Sequence, residues 1–123
     1  STNKVAIDFF KKANQEKKIK TIIKPALDSL NELKRNNKIF DMVFIDADKE
    51  NYKNYYDISL CLIKKEGLII VDNVLWHGEV VDKTKNDGLT NIIRDFNSYV
   101  KDDKKTEQII LPLGDGFTVC RKL

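Results

Sequence analysis

Apolar positions along this chain follow two alternating rhythms. Val5, Ala6, Phe9, Phe10 and Ala13 recur at three- and four-residue spacing, which predicts an amphipathic helix over 4–16. Ile19 to Ile23 leaves that rhythm and predicts a short strand. Pro25 suits the first position of a helix, and Leu27, Leu30 and Leu33 give that helix an apolar stripe before the polar run Arg35 to Lys38. Phe40 to Ile45 is mostly apolar and predicts a strand buried on both faces, as in a parallel sheet. Tyr52, Tyr55, Tyr56, Leu60 and Ile63 point inward from the next predicted helix, which Asp48 is placed to cap. Gly67 ends that stretch, and Leu68 to Val71 forms a second buried strand running into Asp72 and Asn73. Leu89, Ile92, Ile93, Phe96 and Val100 mark a further helix. Glu107 to Leu113 and Phe117 to Arg121 flank Gly114, Asp115 and Gly116, the pattern of an antiparallel hairpin.

Strands alternating with helices and closed by a hairpin predict an α/β doubly wound sheet, parallel except for its last strand. The length of 123 residues suits a single domain over 1–123 with one hydrophobic core. Hydrophobic residues at 41% and charged residues at 33% are ordinary for a globular protein, and no apolar run nears the ~20 residues of a membrane span. No membrane partner is therefore expected. Of the 22 cationic residues only three are Arg, and the lysines are scattered in pairs such as Lys11-Lys12 and Lys104-Lys105. A nucleic-acid surface would concentrate Arg and aromatics in a patch, so nucleic acid is not an expected partner. Cys61 and Cys120 sit in apolar runs with neither zinc nor redox spacing, which predicts two buried, reduced thiols. With no signal-peptide core at the first residues, a cytoplasmic location is expected.

The chemistry gathers at two strand ends. One strand runs into Asp46, Ala47 and Asp48, the other into Asp72 and Asn73, with one helix between them. Neighbouring parallel strands lie about 4.8 Å apart, and ligands of open α/β sheets bind at their carboxyl ends. Asp46, Asp72 and Asn73 would then offer three hard oxygen donors, a set that suits Mg²⁺, Ca²⁺ or Mn²⁺. Each residue has a plainer reading: Asp48 as a helix cap, Asp72-Asn73 as a turn, Trp76 as packing.

Three runs of sequence change the balance. Phe-Ile-Asp-Ala-Asp-Lys-Glu-Asn-Tyr (44–52), Asp-Asn-Val-Leu-Trp-His-Gly (72–78) and Leu-Pro-Leu-Gly-Asp-Gly-Phe-Thr-Val (111–119), in this order and spacing, closely resemble the cation-dependent S-adenosylmethionine O-methyltransferases of the caffeoyl-CoA and catechol types. The similarity runs from about residue 4 to the end of the chain. It implies a Rossmann-like methyltransferase sheet, with S-adenosylmethionine and a divalent cation, Mg²⁺ first, as cofactors. It implies Asp46, Asp72 and Asn73 as metal ligands, Ala26 beside the adenine and Asp48 in contact with the cofactor. Lys49 matches the lysine that removes the proton of the attacking hydroxyl. A divalent cation would orient a vicinal diol and acidify the hydroxyl it binds, and its charge would favour the neutral amine of a nearby lysine. The implied substrate is a small diol such as a catechol or hydroxycinnamoyl thioester, bound through the metal at Asp46 and facing His77. The plant type carries Asn where this chain has His77, so the acceptor is expected to differ.

The family also has two strands that this chain does not match, one followed by a glycine-rich turn for the methionine end of the cofactor and one ending in an acid for the ribose. None of Gly67, Gly78, Gly88, Gly114 and Gly116 forms a Gly-x-Gly cluster after an opening strand. The chain thus reads as the C-terminal part of the fold, with an open edge on its central strand and little activity by itself. That edge would either pair with another chain, giving a homodimer, or close by setting 19–23 against 40–45. Two alternatives are a phosphoacceptor receiver-like domain, whose opening acidic pair and late Lys-Pro are absent, and a non-catalytic structural fragment.

Overall fold

The computed structural model describes residues 2–123. Four helices, α1 (Thr2–Lys12), α2 (Ala26–Arg35), α3 (Tyr52–Leu62) and α4 (Gly88–Asp102), accompany four strands, β1 (Phe40–Ile45), β2 (Ile63–Asp72), β3 (Thr106–Leu111) and β4 (Phe117–Lys122). The sheet order is β1-β2-β4-β3. β1 and β2 are parallel neighbours, while β4 runs antiparallel to both β2 and β3. The α/β class, the neighbouring of the two acid-tipped strands and the single reversed strand agree with the sequence pattern.

Period-two alternation sends Ile45, Ile69, Val71 and Cys120 to one face of the sheet, where they meet Tyr52, Tyr56, Ile93, Phe96 and Val100 of α3 and α4. The rings of Tyr52 and Tyr56 stand edge-on to Phe96, at 5.3 and 6.3 Å between centroids. Inside this core the Tyr56 hydroxyl donates to Asp103 Oδ2 at 3.0 Å and lies 3.0 Å from Thr106 Oγ1, so the ring is buried without losing its polar partners. Burial pushes the Cys120 thiol up to about 12, with Asp103 adding to the shift. The join between α3 and β2 has no loop. Gly67 allows the close approach there, because a Cβ at that position would lie 2.5 Å from Ile63 Cγ1 and 2.9 Å from the Asp41 carbonyl oxygen.

Four expectations need correction. Residues 19–23 form no strand; Ile19, Ile22 and Ile23 are exposed, and the segment has no ladder partner to make it a strand. The gap is therefore not closed against β1. β1 is not buried on both faces: Met42 is 53% and Phe44 51% exposed, because the helix layer covers only one side. Cys61 is exposed on α3, and only Cys120 is buried. Asp48 makes no side-chain capping bond to the backbone; its oxygens are taken by other side chains. The first helix matches its expected position but ends at Lys12, and none of its residues is buried.

The uncovered face carries Met42, Phe44, Ile70, Val119 and Ile109, with Phe44, Ile70, Val119 and Ile109 in consecutive register across all four strands. It adjoins the unpaired edge of β1. An apolar face beside a free strand edge promotes self-association. The chain is expected to sediment heavier than a monomer at tens of micromolar, and Phe44→Lys to shift it toward monomer with an unchanged far-ultraviolet spectrum. A monomeric unsubstituted chain would count against this.

Candidate functional site

Register places the chemistry. Ile45 pairs with Val71, so Asp46 and Asp72 occupy the next positions on adjacent parallel strands, and Asn73 follows. Asn73 has a left-handed backbone (φ 60°), a conformation Asn tolerates better than most residues. Its N–H donates to Asp72 Oδ1 at 2.6 Å.

Lys49 reaches into this corner from a short 3₁₀ turn, Lys49–Asn51, that leads into α3. Its side chain is only 12% exposed. The ammonium donates to Asn73 Oδ1 at 2.8 Å, lies 3.5 Å from Asp46 Oδ1 and donates to the Tyr52 hydroxyl. Tyr52 in turn donates to the Asp72 carbonyl oxygen at 2.9 Å. Burial, reinforced by the carboxylates of Asp46 and Asp72, raises the Tyr52 pKa and keeps the phenol protonated. The structure thus brings Lys49 to Asp46 and Asn73, and reaches the Asp72 backbone carbonyl through Tyr52. It adds Tyr52, which sequence reasoning treated only as core; the signal was its position three residues after Lys49, on the same side of a helical turn.

The residues suit a hard cation. Among the described residues no three His, Cys, Asp or Glu side chains converge on one point. The corner has two carboxylates and reaches three donors only with the Asn73 amide oxygen. An ammonium already drawn between Asn73 and Asp46 marks where these oxygens concentrate negative potential. Asp46 is 56% exposed, so water positions remain open beside it.

Ala26 and Asp46 line one cavity of about 260 Å³ between α2, β1 and α3, with Leu30, Val43, Ala47 and Tyr55. Its walls are largely apolar. Ser59 also lines it, and the Ser59 Oγ is buried without a hydrogen-bond partner. An apolar slot with one orphaned hydroxyl fits a flat heterocycle that carries hydrogen-bonding nitrogens, and adenine is such a group. Asp48 is not on this wall. It accepts from the Tyr55 hydroxyl at 2.5 Å and from the Asn51 amide, and these two bonds, Tyr55 foremost, hold its pKa below the usual carboxylate range. Burial, with Asp48 second, pushes the Tyr55 phenol up to about 12.

His77 does not line the cavity that Ala26 and Asp46 share. It is 75% exposed and lies against Asp115, on a groove of about 540 Å³ with Leu75, Gly78 and Val81. Trp76 packs against the core, as its plainer reading had it. No helix among the described residues is long and apolar enough to cross a membrane.

A family model described as O-methyltransferase matches residues 1–123. The probable caffeoyl-CoA O-methyltransferase 1 of Dictyostelium discoideum is 41% identical over 121 residues, which are 96% of this chain and 53% of that protein. The caffeoyl-CoA O-methyltransferase of Populus kitakamiensis is 36% identical over 127 residues, 97% of this chain and 54% of that protein. Among solved structures, the O-methyltransferase from Bacillus cereus in complex with SAH superposes with a TM-score of 0.86 at 31% identity, covering 98% of this chain and 57% of that one. The chain spans about half the length of the curated relatives it matches.

Proposed function

From the premise that this chain belongs to the S-adenosylmethionine-dependent O-methyltransferase family, we propose that the full-length protein methylates one hydroxyl of a vicinal diol with the help of a divalent cation. The diol is a catechol or a hydroxycinnamoyl thioester, and Mg²⁺ is the cation. One observation carries the reading: Lys49 Nζ lies 2.8 Å from Asn73 Oδ1 and 3.5 Å from Asp46 Oδ1, at the tips of neighbouring parallel strands.

In this reading Asp46, Asp72 and Asn73 hold the cation. When bound, the cation supplies acidity to the coordinated hydroxyl and a fixed orientation to the diol. Lys49 gives up its place on Asn73 Oδ1 and Asp46, and as a neutral amine takes the proton of the attacking hydroxyl. Tyr52, held by the Asp72 carbonyl, keeps a hydrogen bond on the Lys49 nitrogen and fixes where that amine sits. The Ala26 cavity takes the adenine, and Asp48 stands at its approach through Tyr55. Holding both reactants in place supplies much of the rate. The 123-residue chain by itself, with no glycine-rich turn for the methionine end of the cofactor, turns over little.

The test is S-adenosylhomocysteine formation by the full-length protein on catechol, a 3,4-dihydroxycinnamoyl thioester and a monophenol. Activity is expected on the two diols, lost with chelator and restored by Mg²⁺. Equal turnover of the monophenol, or indifference to chelator, overturns the proposal.

A further inference from the structure

The hairpin turn between β3 and β4 is clamped onto the loop that follows Asp72 and Asn73. Val74 N–H donates to the Gly116 carbonyl at 3.2 Å and Leu75 N–H to the Asp115 carbonyl at 3.0 Å. Gly116 (φ 83°) must be glycine at this contact, because a Cβ would lie 2.4 Å from Leu75 Cγ. Beyond the clamp the backbone runs left-handed through Trp76 (φ 48°), His77 (φ 55°) and Gly78 (φ 81°). Two consecutive non-glycine residues in that region are strained, and such strain persists only where surrounding contacts hold it.

Asp115 is one of those contacts. Its Oδ1 accepts the His77 backbone N–H at 2.5 Å. Its other oxygen, Oδ2, is buried with no hydrogen-bond partner and lies 3.8 Å from His77 Nδ1. A buried carboxylate oxygen left unpaired is costly. The Asp115 side chain is 16% exposed and the His77 side chain 75% exposed, so the imidazole is the partner free to move. Bringing Nδ1 from 3.8 Å to an ordinary hydrogen-bond distance of about 3.0 Å asks the exposed ring to shift by less than about 1 Å.

We propose that Asp115 is a positioning residue: it binds the His77 backbone with one oxygen and fixes the imidazole as its Nδ1–H tautomer with the other, so that Nε2 presents a lone pair over the groove beside the loop. The hydrogen bond made by one imidazole nitrogen sets what the other can do. A lone pair at Nε2 selects ligands that bring a hydrogen-bond donor. Resting on the methyltransferase reading, this favours acceptors that carry a donor-only group, such as a ring N–H, beyond their diol.

His77 is the chain's single histidine, so its imidazole nitrogens can be read without overlap. The experiment is a long-range ¹H–¹⁵N spectrum of the 123-residue chain at about pH 8.5, above the ordinary imidazole pKa of about 6.5. The Nδ1–H tautomer is expected to predominate, against the Nε2–H preference of free histidine. In Asp115→Asn the amide oxygen can still accept the His77 N–H, while the amide NH₂ now donates to Nδ1. The tautomer is then expected to flip to Nε2–H, the same logic by which an Asp-to-Asn change leaves a catalytic triad with the wrong tautomer. Unmoved amide signals at Val74, Leu75 and Gly78 would show the clamp intact; if they move, the tautomer of the unsubstituted chain decides alone. A free-histidine tautomer ratio in that chain, or the same tautomer in both chains, overturns the assignment. Neither readout needs cofactor or turnover, so it stands apart from any failure of the methyltransferase reading. In the full-length protein Asp115→Asn is expected to raise KM about 3- to 10-fold for 5,6-dihydroxyindole, whose indole N–H can only donate, with the KM for catechol rising less, the size of one lost neutral hydrogen bond. Equal effects on both substrates would remove the acceptor-selection half of the proposal.

Discussion

Asp46→Asn and Asp72→Asn are each expected to lower methyl transfer by the full-length protein on the order of a hundredfold or more, the scale of losing one preorganised electrostatic contact at a reacting centre. Each change removes one negative charge and keeps the shape. Asp46 is more than half exposed, and Asp72 uses Oδ1 to accept from the Asn73 N–H, a bond an amide oxygen also makes. Folding should therefore be little affected, and the loss should fall on the cation. The 123-residue chain offers a direct readout. Mn²⁺ added to it is expected to broaden the amide signals around Asp46, Asp72 and Asn73 before any others, and either substitution should remove that preference. Broadening centred elsewhere, or left intact by both substitutions, would mean these oxygens do not share an ion.

What the sequence made legible and what it hid divide along a physical line. Val71 running into Asp72 and Asn73, and Ile45 into Asp46, were readable because a buried strand that ends abruptly in hard oxygens leaves few other uses for them. That the two acid-tipped strands would be neighbours was readable because one helix joins them, and the register of Ile45 with Val71 agrees. The contribution of Tyr52 was hidden by its hydrophobic body: the ring packs on Phe96 while the hydroxyl serves Lys49 and the Asp72 carbonyl. Asp115 was hidden for a different reason. A Gly-Asp-Gly run predicts a turn, but no local pattern says that the turn's carboxylate will face a loop 38 residues earlier. The misreading of 19–23 and of β1 has one cause. Hydrophobic spacing reports what a segment would bury, whereas a strand also needs a neighbour for its N–H and C=O groups and a layer for its outer face. Ile23 at 72% exposure and Phe44 at 51% carry the pattern of buried positions without the partners that would bury them.

Lys49→Met is expected to separate the two jobs that meet at one nitrogen. If the amine takes the proton, its loss should lower kcat about 100- to 10,000-fold, the usual worth of a general base. Divalent affinity should move the other way. The Lys49 ammonium donates to Asn73 Oδ1 and sits 3.5 Å from Asp46 Oδ1, so a metal on those donors competes with it. A methionine of similar length makes no such claim, and Mn²⁺ should bind the substituted chain at least as tightly as the original. Lys49→Arg should rescue neither property, because a guanidinium stays charged and cannot accept the proton. A lysine that served only to neutralise the two carboxylates would give the opposite result: kcat nearly unchanged in Lys49→Met and full activity in Lys49→Arg. Reading turnover and Mn²⁺ affinity on the same three proteins thus distinguishes a proton acceptor that yields its place to the metal from a lysine that only balances charge.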